Sequence, residues 1–194
     1  MKKHILPGIL LAMFAFTAGA QPLALPVKWS FYSINQAGLI NGRSGSAFQA
    51  QTVNGMQKGH VFMGLGVGTD QYYFASVPVF VDTRYYIGRQ SSAPFVYADG
   101  GINFPTTKDR DAYPPPGFLS GFYSDAGIGY LFATGHKTAL LLSAGMTYKR
   151  IIKKQAVLYM EPPFYYDPGG PPSLPFYRYI YDLNRLSFKL GFRF

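Results

Sequence analysis

The last ten residues of the chain, 185–194, alternate between apolar and polar side chains without exception. A β-strand places successive side chains on opposite faces of its sheet, so this period of two predicts a strand with one apolar and one polar face. Such a strand fits two kinds of protein. It can cover the core of a soluble, secreted β-sandwich, or it can form the wall of a membrane barrel whose apolar face meets lipid.

The composition favours an all-β fold of a single domain. Among 194 residues there are 16 Tyr and 17 Phe, which favour strands, and 22 Gly and 15 Pro, which favour turns. The chain has no cysteine, which excludes disulfides and thiolate metal sites. The net charge of +9 is not gathered into one helix or patch. Anionic lipid headgroups or polysaccharide are therefore more fitting partners than nucleic acid.

The first twenty residues have the pattern of a secretory signal peptide. Two lysines precede an apolar run at residues 5–16, and small residues at 18–20 form a cleavage site. The run is shorter than the roughly 20 residues that a membrane-spanning helix needs. We therefore predict a signal peptide at residues 1–20 and one mature β-domain at residues 21–194.

Segments of alternating apolar and polar residues, separated by Gly and Pro at the turns, predict eight strands in the mature chain. Asn54 and Gly55 are predicted to form a hairpin turn that needs positive φ, between the second and third strands. The connections at residues 105–117 and 150–182 are predicted to be the longest, and the second, fourth and sixth connections are short. The predicted strands occupy residues 28–40, 46–53, 60–69, 77–87, 94–104, 118–133, 138–149 and 183–194.

These features together predict an all-β fold, an eight-stranded antiparallel transmembrane β-barrel built as an up-and-down meander. Short turns on one side and longer loops on the other are typical of bacterial outer-membrane barrels, whose short turns face the periplasm. Both chain termini are then expected in the periplasm. Side chains fill the lumen of an eight-stranded barrel, so an open pore is not expected.

Five internal segments support this interpretation: GLGVGTD (64–70), VPVFVDTRYY (77–86), FVYADGG (95–101), AGIGY (126–130) and LSAGMTYK (142–149). With the terminal strand, they resemble the small outer-membrane β-barrel domain family, in the broad class of the OmpX-like eight-stranded barrels. The resemblance implies location in the outer membrane of a Gram-negative bacterium, in contact with outer-membrane lipid and lipopolysaccharide. It implies a fold and no particular activity.

The terminal strand runs to the carboxyl terminus and ends on Phe. In this it is similar to the C-terminal signal strand of outer-membrane barrels, which the barrel-assembly machinery reads. The resemblance implies that this machinery is a partner during insertion. The implied signal residues are Phe188, Leu190, Phe192 and Phe194.

The alternation also places charged residues on the lumen side of the predicted strands. Buried charges must be paired, so we interpret them as an ion-pair plug that fills the lumen. The functional alternative is a set of paired carboxylates for acid–base chemistry or a proton path. The predicted plug consists of Asp82, Arg84, Asp99, Asp125, Arg185 and Lys189, and the same alternation points Asp70, Lys149 and Arg193 inward.

An outer-membrane enzyme that modifies lipid A or phospholipid acyl chains is the alternative function. Such catalysis usually needs His beside Ser or a carboxylate. The mature chain holds only His60 and His136, both near short turns and far in sequence from a matching pair. The glycines at positions 64, 66 and 68 lie within a strand, which does not fit a dinucleotide loop. We therefore predict neither catalysis nor a cofactor or metal site.

Aromatic residues suggest where the barrel meets its surroundings. Those near strand ends fit the girdles at the two membrane interfaces, namely Trp29, Tyr72, Tyr73, Tyr85, Tyr86, Tyr130 and Tyr148. The predicted loop at 150–182 is rich in aromatics and prolines, unlike a disordered linker. It could project as a hairpin or fold back as a lid over the mouth.

The hypothesis for function is a structural or surface-binding role through the loops at 105–117 and 150–182. Tyr and Phe offer large contact areas with few rotatable bonds, and prolines lower the entropic cost of presenting them. The ligand could be a surface polysaccharide, a lipid headgroup or a partner protein. The candidate binding face consists of Tyr159, Phe164, Tyr165, Tyr166, Phe176, Tyr177 and Tyr179.

Overall fold

The structure is a computed structural model and describes residues 28–88, 92–106, 117–135, 137–156 and 176–194. The predicted signal peptide and His136 lie outside the described residues. No described segment forms a helix long and apolar enough to cross a membrane. The strands are β1 (Ser30–Gly42), β2 (Gly45–Lys58), β3 (Val61–Asp70), β4 (Ser76–Tyr86), β5 (Ala93–Pro105), β6 (Gly117–Leu119), β7 (Gly121–Ala133), β8 (Ala139–Ala156) and β9 (Phe176–Arg193).

All strand pairings are antiparallel, and the pairing of β9 with both β1 and β8 closes the sheet. β6 and β7 lie end to end along β8 and act as one strand with a bulge. Residues 120–122 oppose only Arg150 and Ile151, since Leu119 pairs with Ile152 and Tyr123 pairs with Lys149. The predicted fold class, an eight-stranded antiparallel barrel, is confirmed.

The strands are strongly tilted, as the pairing register shows. A path of paired residues that starts at Arg193 on β9 returns to that strand at Leu183, ten positions away. A stagger of this size requires a tilt of about 40° to the barrel axis. The path runs through Ile34, Val53, Gly66, Phe80, Gly101, Tyr123 and Lys149.

The predicted turn at Asn54 and Gly55 is wrong. Both residues lie inside β2 and pair with β1 and β3, and the turn follows at Gly59, whose φ is +60°. A Cβ on Gly55 would lie 2.2 Å from the carbonyl oxygen of Met63. Glycine is needed here because two backbones approach closely, so this Asn-Gly pair does not mark a turn.

The predicted loop at 150–182 is also wrong at both ends. β8 and β9 each have 18 residues and pair continuously from Ala139 and Arg193 to Ala156 and Phe176. Residues 150–156 and 176–182 are therefore strand. They form the base of a hairpin that extends well beyond β1, whose pairing with β9 ends at Arg185, while β6 flanks β8 as far as Lys154. This agrees with the projecting alternative.

The outer face of the barrel forms an apolar belt. This belt runs from the level of Tyr85 at the lower rim, near the turn between β2 and β3, to the level of Tyr148 at the upper rim, where the β8–β9 hairpin begins. None of the described outward-facing side chains between these levels is charged. Trp29 and Tyr130 are also exposed near the rim. Tyr72 and Tyr86 were predicted for the girdle, but both are buried inside the barrel, so that prediction is wrong for these two residues.

Candidate functional site

The lumen holds three carboxylates in one row. Asp82 on β4 lies directly opposite Asp99 on β5, which in turn lies opposite Asp125 on β7. All three are buried. Like charges directly opposite on neighbouring strands repel each other, so the row depends on cations from elsewhere in the lumen.

Arg84 and Lys189 supply these cations. Arg84 Nη2 lies 2.6 Å from Asp82 Oδ2, and the Nε of Arg84 also donates to this carboxylate. Lys189 Nζ lies 2.8 Å from Asp125 Oδ2. Tyr97 donates its hydroxyl to Asp125 at 3.0 Å, and its ring lies 4.4 Å from the Lys189 ammonium. Two of the three carboxylates are thus paired and hydrogen-bonded.

Asp99 is the exception in this row. Its side chain is 4% exposed, and neither carboxylate oxygen has a hydrogen-bond partner among the described residues. Three carboxylates therefore share two cations at this level of the lumen. An ionised carboxylate without a donor is costly to bury, so Asp99 is the unfavourable member of the row.

A second ion-pair layer closes the lumen nearer the mouth, which is the end of the barrel from which the β8–β9 hairpin extends. Asp70 on β3 pairs with Lys149 on β8 at 2.9 Å and with Arg185 on β9. Lys149 Nζ also donates to the Phe74 carbonyl and the Ser76 hydroxyl. This layer ties the connection between β3 and β4 to the interior.

Buried Tyr72 completes the closure of the mouth. Its backbone N–H donates to Asp70, and its ring stacks 5.3 Å from the guanidinium of Arg185. Its hydroxyl accepts the backbone N–H of Ser44 from the turn between β1 and β2 at 2.7 Å. The described part of the lumen is filled rather than open.

The hairpin base begins where the apolar belt ends. Arg150 Nε lies 2.7 Å from Asp182 Oδ1, and the Tyr148 hydroxyl donates to the same oxygen at 2.5 Å. Hydrogen bonds from Arg150 and Tyr148 hold the pKa of the Asp182 carboxyl below its usual value. Both members of the ion pair are exposed, so this pair contributes local order more than global stability.

Beyond this pair the hairpin presents two different faces. On the outer face Ile152 pairs with Ile180, and Lys154 then lies directly opposite Arg178. On the other face, Tyr177 and Tyr179 are 62% and 46% exposed, with ring centroids 6.4 Å apart.

An aromatic cluster supports the hairpin from below. Tyr181 packs edge-on against Phe74, with ring centroids 5.2 Å apart, and also contacts Tyr73. Phe118 of β6 lies 5.2 Å from the Phe74 ring. The base of the hairpin is therefore held against the barrel rather than free.

The geometry shows no catalytic grouping among the residues that the structure describes. No three His, Asp or Glu side chains there are close enough to hold a metal ion. His60 Nδ1 lies 3.0 Å from the Tyr86 carbonyl oxygen at the turn between β2 and β3. This position is remote from the three carboxylates, because Tyr86 and Phe95 lie between the turn and that row.

No protein-family profile matches the chain. No characterised protein matches it by sequence. A crystal structure of Neisserial surface protein A is similar to it, with a TM-score of 0.56 and 12% sequence identity, over 86% of this chain and 97% of that one. Because only 12% of the aligned residues are identical, the similarity establishes a shared fold and nothing more specific.

The chain has the small outer-membrane β-barrel fold. In this barrel the predicted plug residues fall into two layers, because Arg185 pairs with Asp70 rather than with the row of three aspartates. Sequence reasoning left Asp70 and Lys149 out of the plug, although the alternation pointed both inward. Only the register of β8 and β9 against the distant β3 brings these charges together.

The remaining predicted residues of the barrel lie on its outside. Phe188, Leu190, Phe192 and Phe194 are exposed on the outer face, and the backbone of Phe194 is hydrogen-bonded to Ser33. Their role as an assembly signal stays a prediction. Phe176, Tyr177 and Tyr179 are exposed on the hairpin, whereas the other predicted binding residues, Tyr159, Phe164, Tyr165 and Tyr166, lie outside the described residues.

Proposed function

We propose that this protein is an integral outer-membrane barrel of a Gram-negative bacterium that binds an anionic glycolipid at the cell surface. The binding element is the β8–β9 hairpin, and lipopolysaccharide is the ligand class that fits its chemistry. The observation that carries the proposal is the pair of cations on the outer face of the hairpin, Lys154 and Arg178.

The apolar belt supports the membrane location. Its outward-facing strand residues carry no charge, whereas the lumen carries many. This is the inverse of a water-soluble protein, whose charged side chains face outward. An arginine or lysine facing lipid at the bilayer midplane costs roughly 2–4 kcal/mol, which accounts for the composition of the belt.

The unequal ends of the barrel support the orientation. β2 and β3 are joined at one end by only Gly59 and His60, and the two 18-residue strands extend from the opposite end. Long connections belong outside the cell and short turns in the periplasm, so both termini are assigned to the periplasm.

The two opposed cations indicate an anionic ligand. Like charges directly opposite on paired strands are destabilising, and an anion between them would relieve that repulsion. Within the described part of the hairpin, Arg150 is already engaged by Asp182, and Lys154 and Arg178 are the cations that face outward beyond this ion pair. Lipopolysaccharide carries phosphate groups, and arginine binds phosphate through charge-assisted hydrogen bonds.

The tyrosines on the opposite face fit the sugar portion of a glycolipid. Tyr177 and Tyr179 project from the same side of β9 and expose much of their rings. Aromatic rings offer rigid, amphipathic contact surfaces at low entropic cost. A binding role without catalysis is proposed because ion pairs fill the lumen and His60 is bonded to a backbone carbonyl.

The test measures binding of purified lipopolysaccharide to the protein in lipid nanodiscs. The double variant Lys154→Ala with Arg178→Ala should weaken binding at least tenfold, since each charge-assisted contact is worth about 1.5–3 kcal/mol. Removal of the phosphates from the lipopolysaccharide should weaken binding to the unsubstituted protein by a similar factor.

The control variant, Lys28→Ala with Lys137→Ala, removes the same charge from the opposite end of the barrel, where both lysines are exposed. It should bind as the unsubstituted protein does. Equal affinity of the two double variants would contradict the proposal, because the effect would then come from net charge alone.

A further inference from the structure

The lipid-facing belt contains a polar patch on β1 and β2. Asn35 lies directly opposite Thr52, and Ser33 lies opposite Asn54. All four side chains face outward, because the positions between them on both strands are buried in the lumen. No comparable cluster of polar side chains occurs elsewhere in the described part of the belt.

The two amide side chains in this patch have no internal partners. Neither Asn35 nor Asn54 forms a side-chain hydrogen bond with any residue that the structure describes. Their strand neighbours across the patch are the lipid-facing Phe192 and Leu65. Acyl chains offer no hydrogen-bonding groups, so lipid alone would leave both amides unsatisfied.

Two members of the patch, Asn35 and Thr52, also line a groove in the barrel wall, and Ser33 and Asn54 lie beside them. Small residues beside it, Ala37 and Ala50, leave a depression of about 760 Å³ on the outer surface. Small residues allow two protein surfaces to approach closely within a membrane. The larger side chains that border the groove are Val67, Val77, Leu140, Leu190 and Phe192.

We propose that this groove is the interface of a homodimer in the membrane. Two copies inserted in the same direction are related by a twofold axis along the membrane normal, so each presents the same patch to the other. An amide both donates and accepts hydrogen bonds, which makes the patch complementary to itself. The second copy supplies the partners that lipid cannot supply to Asn35 and Asn54.

The absence of cysteine makes a clean cross-linking test available. Thr52→Cys places a thiol in the patch. Thr83→Cys is the matched control, since Thr83 also faces outward in the belt but lies on β4, outside the groove. In native membranes under mild oxidation, Thr52→Cys should form a disulfide-linked dimer, and Thr83→Cys should remain monomeric.

A second variant tests the amides themselves. Asn35→Leu with Asn54→Leu, combined with Thr52→Cys, should reduce the cross-linked dimer at least tenfold and leave the amount of heat-modifiable barrel unchanged. Equal cross-linking at both cysteine positions would overturn the proposal, as would a cross-link to a protein of different mass. If the leucine variant fails to insert, the comparison of Thr52→Cys with Thr83→Cys decides alone.

Discussion

Lys189 Nζ lies 2.8 Å from Asp125 Oδ2 in the middle of the barrel, and both side chains are almost fully excluded from solvent. Asp125→Ala should therefore lower the free energy of unfolding by about 3–5 kcal/mol, because it leaves the Lys189 ammonium buried without its counter-charge. Urea unfolding in lipid vesicles measures this quantity. The double variant Asp125→Leu with Lys189→Met should recover most of the loss. A double variant as unstable as Asp125→Ala would show that packing, not charge, is responsible.

Asp82 and Asp99 should respond oppositely to the loss of their charge. Asp99→Asn removes a carboxylate that has no hydrogen-bond partner among the described residues, and it relieves repulsion from its two aspartate neighbours. It should raise the free energy of unfolding by about 1 kcal/mol. Asp82→Asn should lower it, because Arg84 loses its ionised partner. The same direction of change in both variants would contradict the described pairing.

The terminal strand should be required for assembly. Deletion of Phe194 removes the predicted signal and the two backbone hydrogen bonds to Ser33 at the end of the β1–β9 seam. Phe192→Asp with Phe194→Asp also places charge toward lipid, at a cost on the order of 1 kcal/mol or more. Neither variant should appear as heat-modifiable protein in the outer-membrane fraction. Phe31→Asp, an outward-facing change at the same rim on β1, is the control and should still insert.

The base of the hairpin should loosen at acidic pH. The pKa of Asp182 is lower in the folded protein than its usual value, since Arg150 and Tyr148 stabilise the carboxylate. Its contribution is therefore present above the ordinary carboxyl pKa of about 4 and is lost as the pH falls below that value. Protection of backbone amides at residues 150–154 against hydrogen exchange, corrected for intrinsic rates, should fall in this range. Asp182→Asn should remove this pH dependence.

The alternation of residues determined most of the wall of this barrel. The inward and outward positions of β3, β4 and β9 follow from it directly, including the inward Asp82, Arg84 and Lys189 and the outward Phe188 and Phe192. This works because side-chain direction in a strand is a local property with a period of two.

Local sequence signals predicted the wrong secondary structure where pairing with other strands determines it. Asn54 and Gly55 look like a turn, but they are strand because Gly55 must let the backbone of β3 approach. Residues 150–156 and 176–182 look like a loop, but they pair with each other beyond the belt, and β6 also pairs with β8 at residues 152–154.

The partners of the charged residues depended on tertiary structure alone. The sequence indicated that Arg185 faces the lumen, but it could not indicate that Asp70, 115 positions away, is its partner. That contact depends on the ten-residue stagger around the closed barrel, which sets the height of every strand relative to the others. The face of the sheet on which a side chain lies follows from the sequence of its own strand. The pairing of charges across the lumen depends on the closure of all the strands into a barrel.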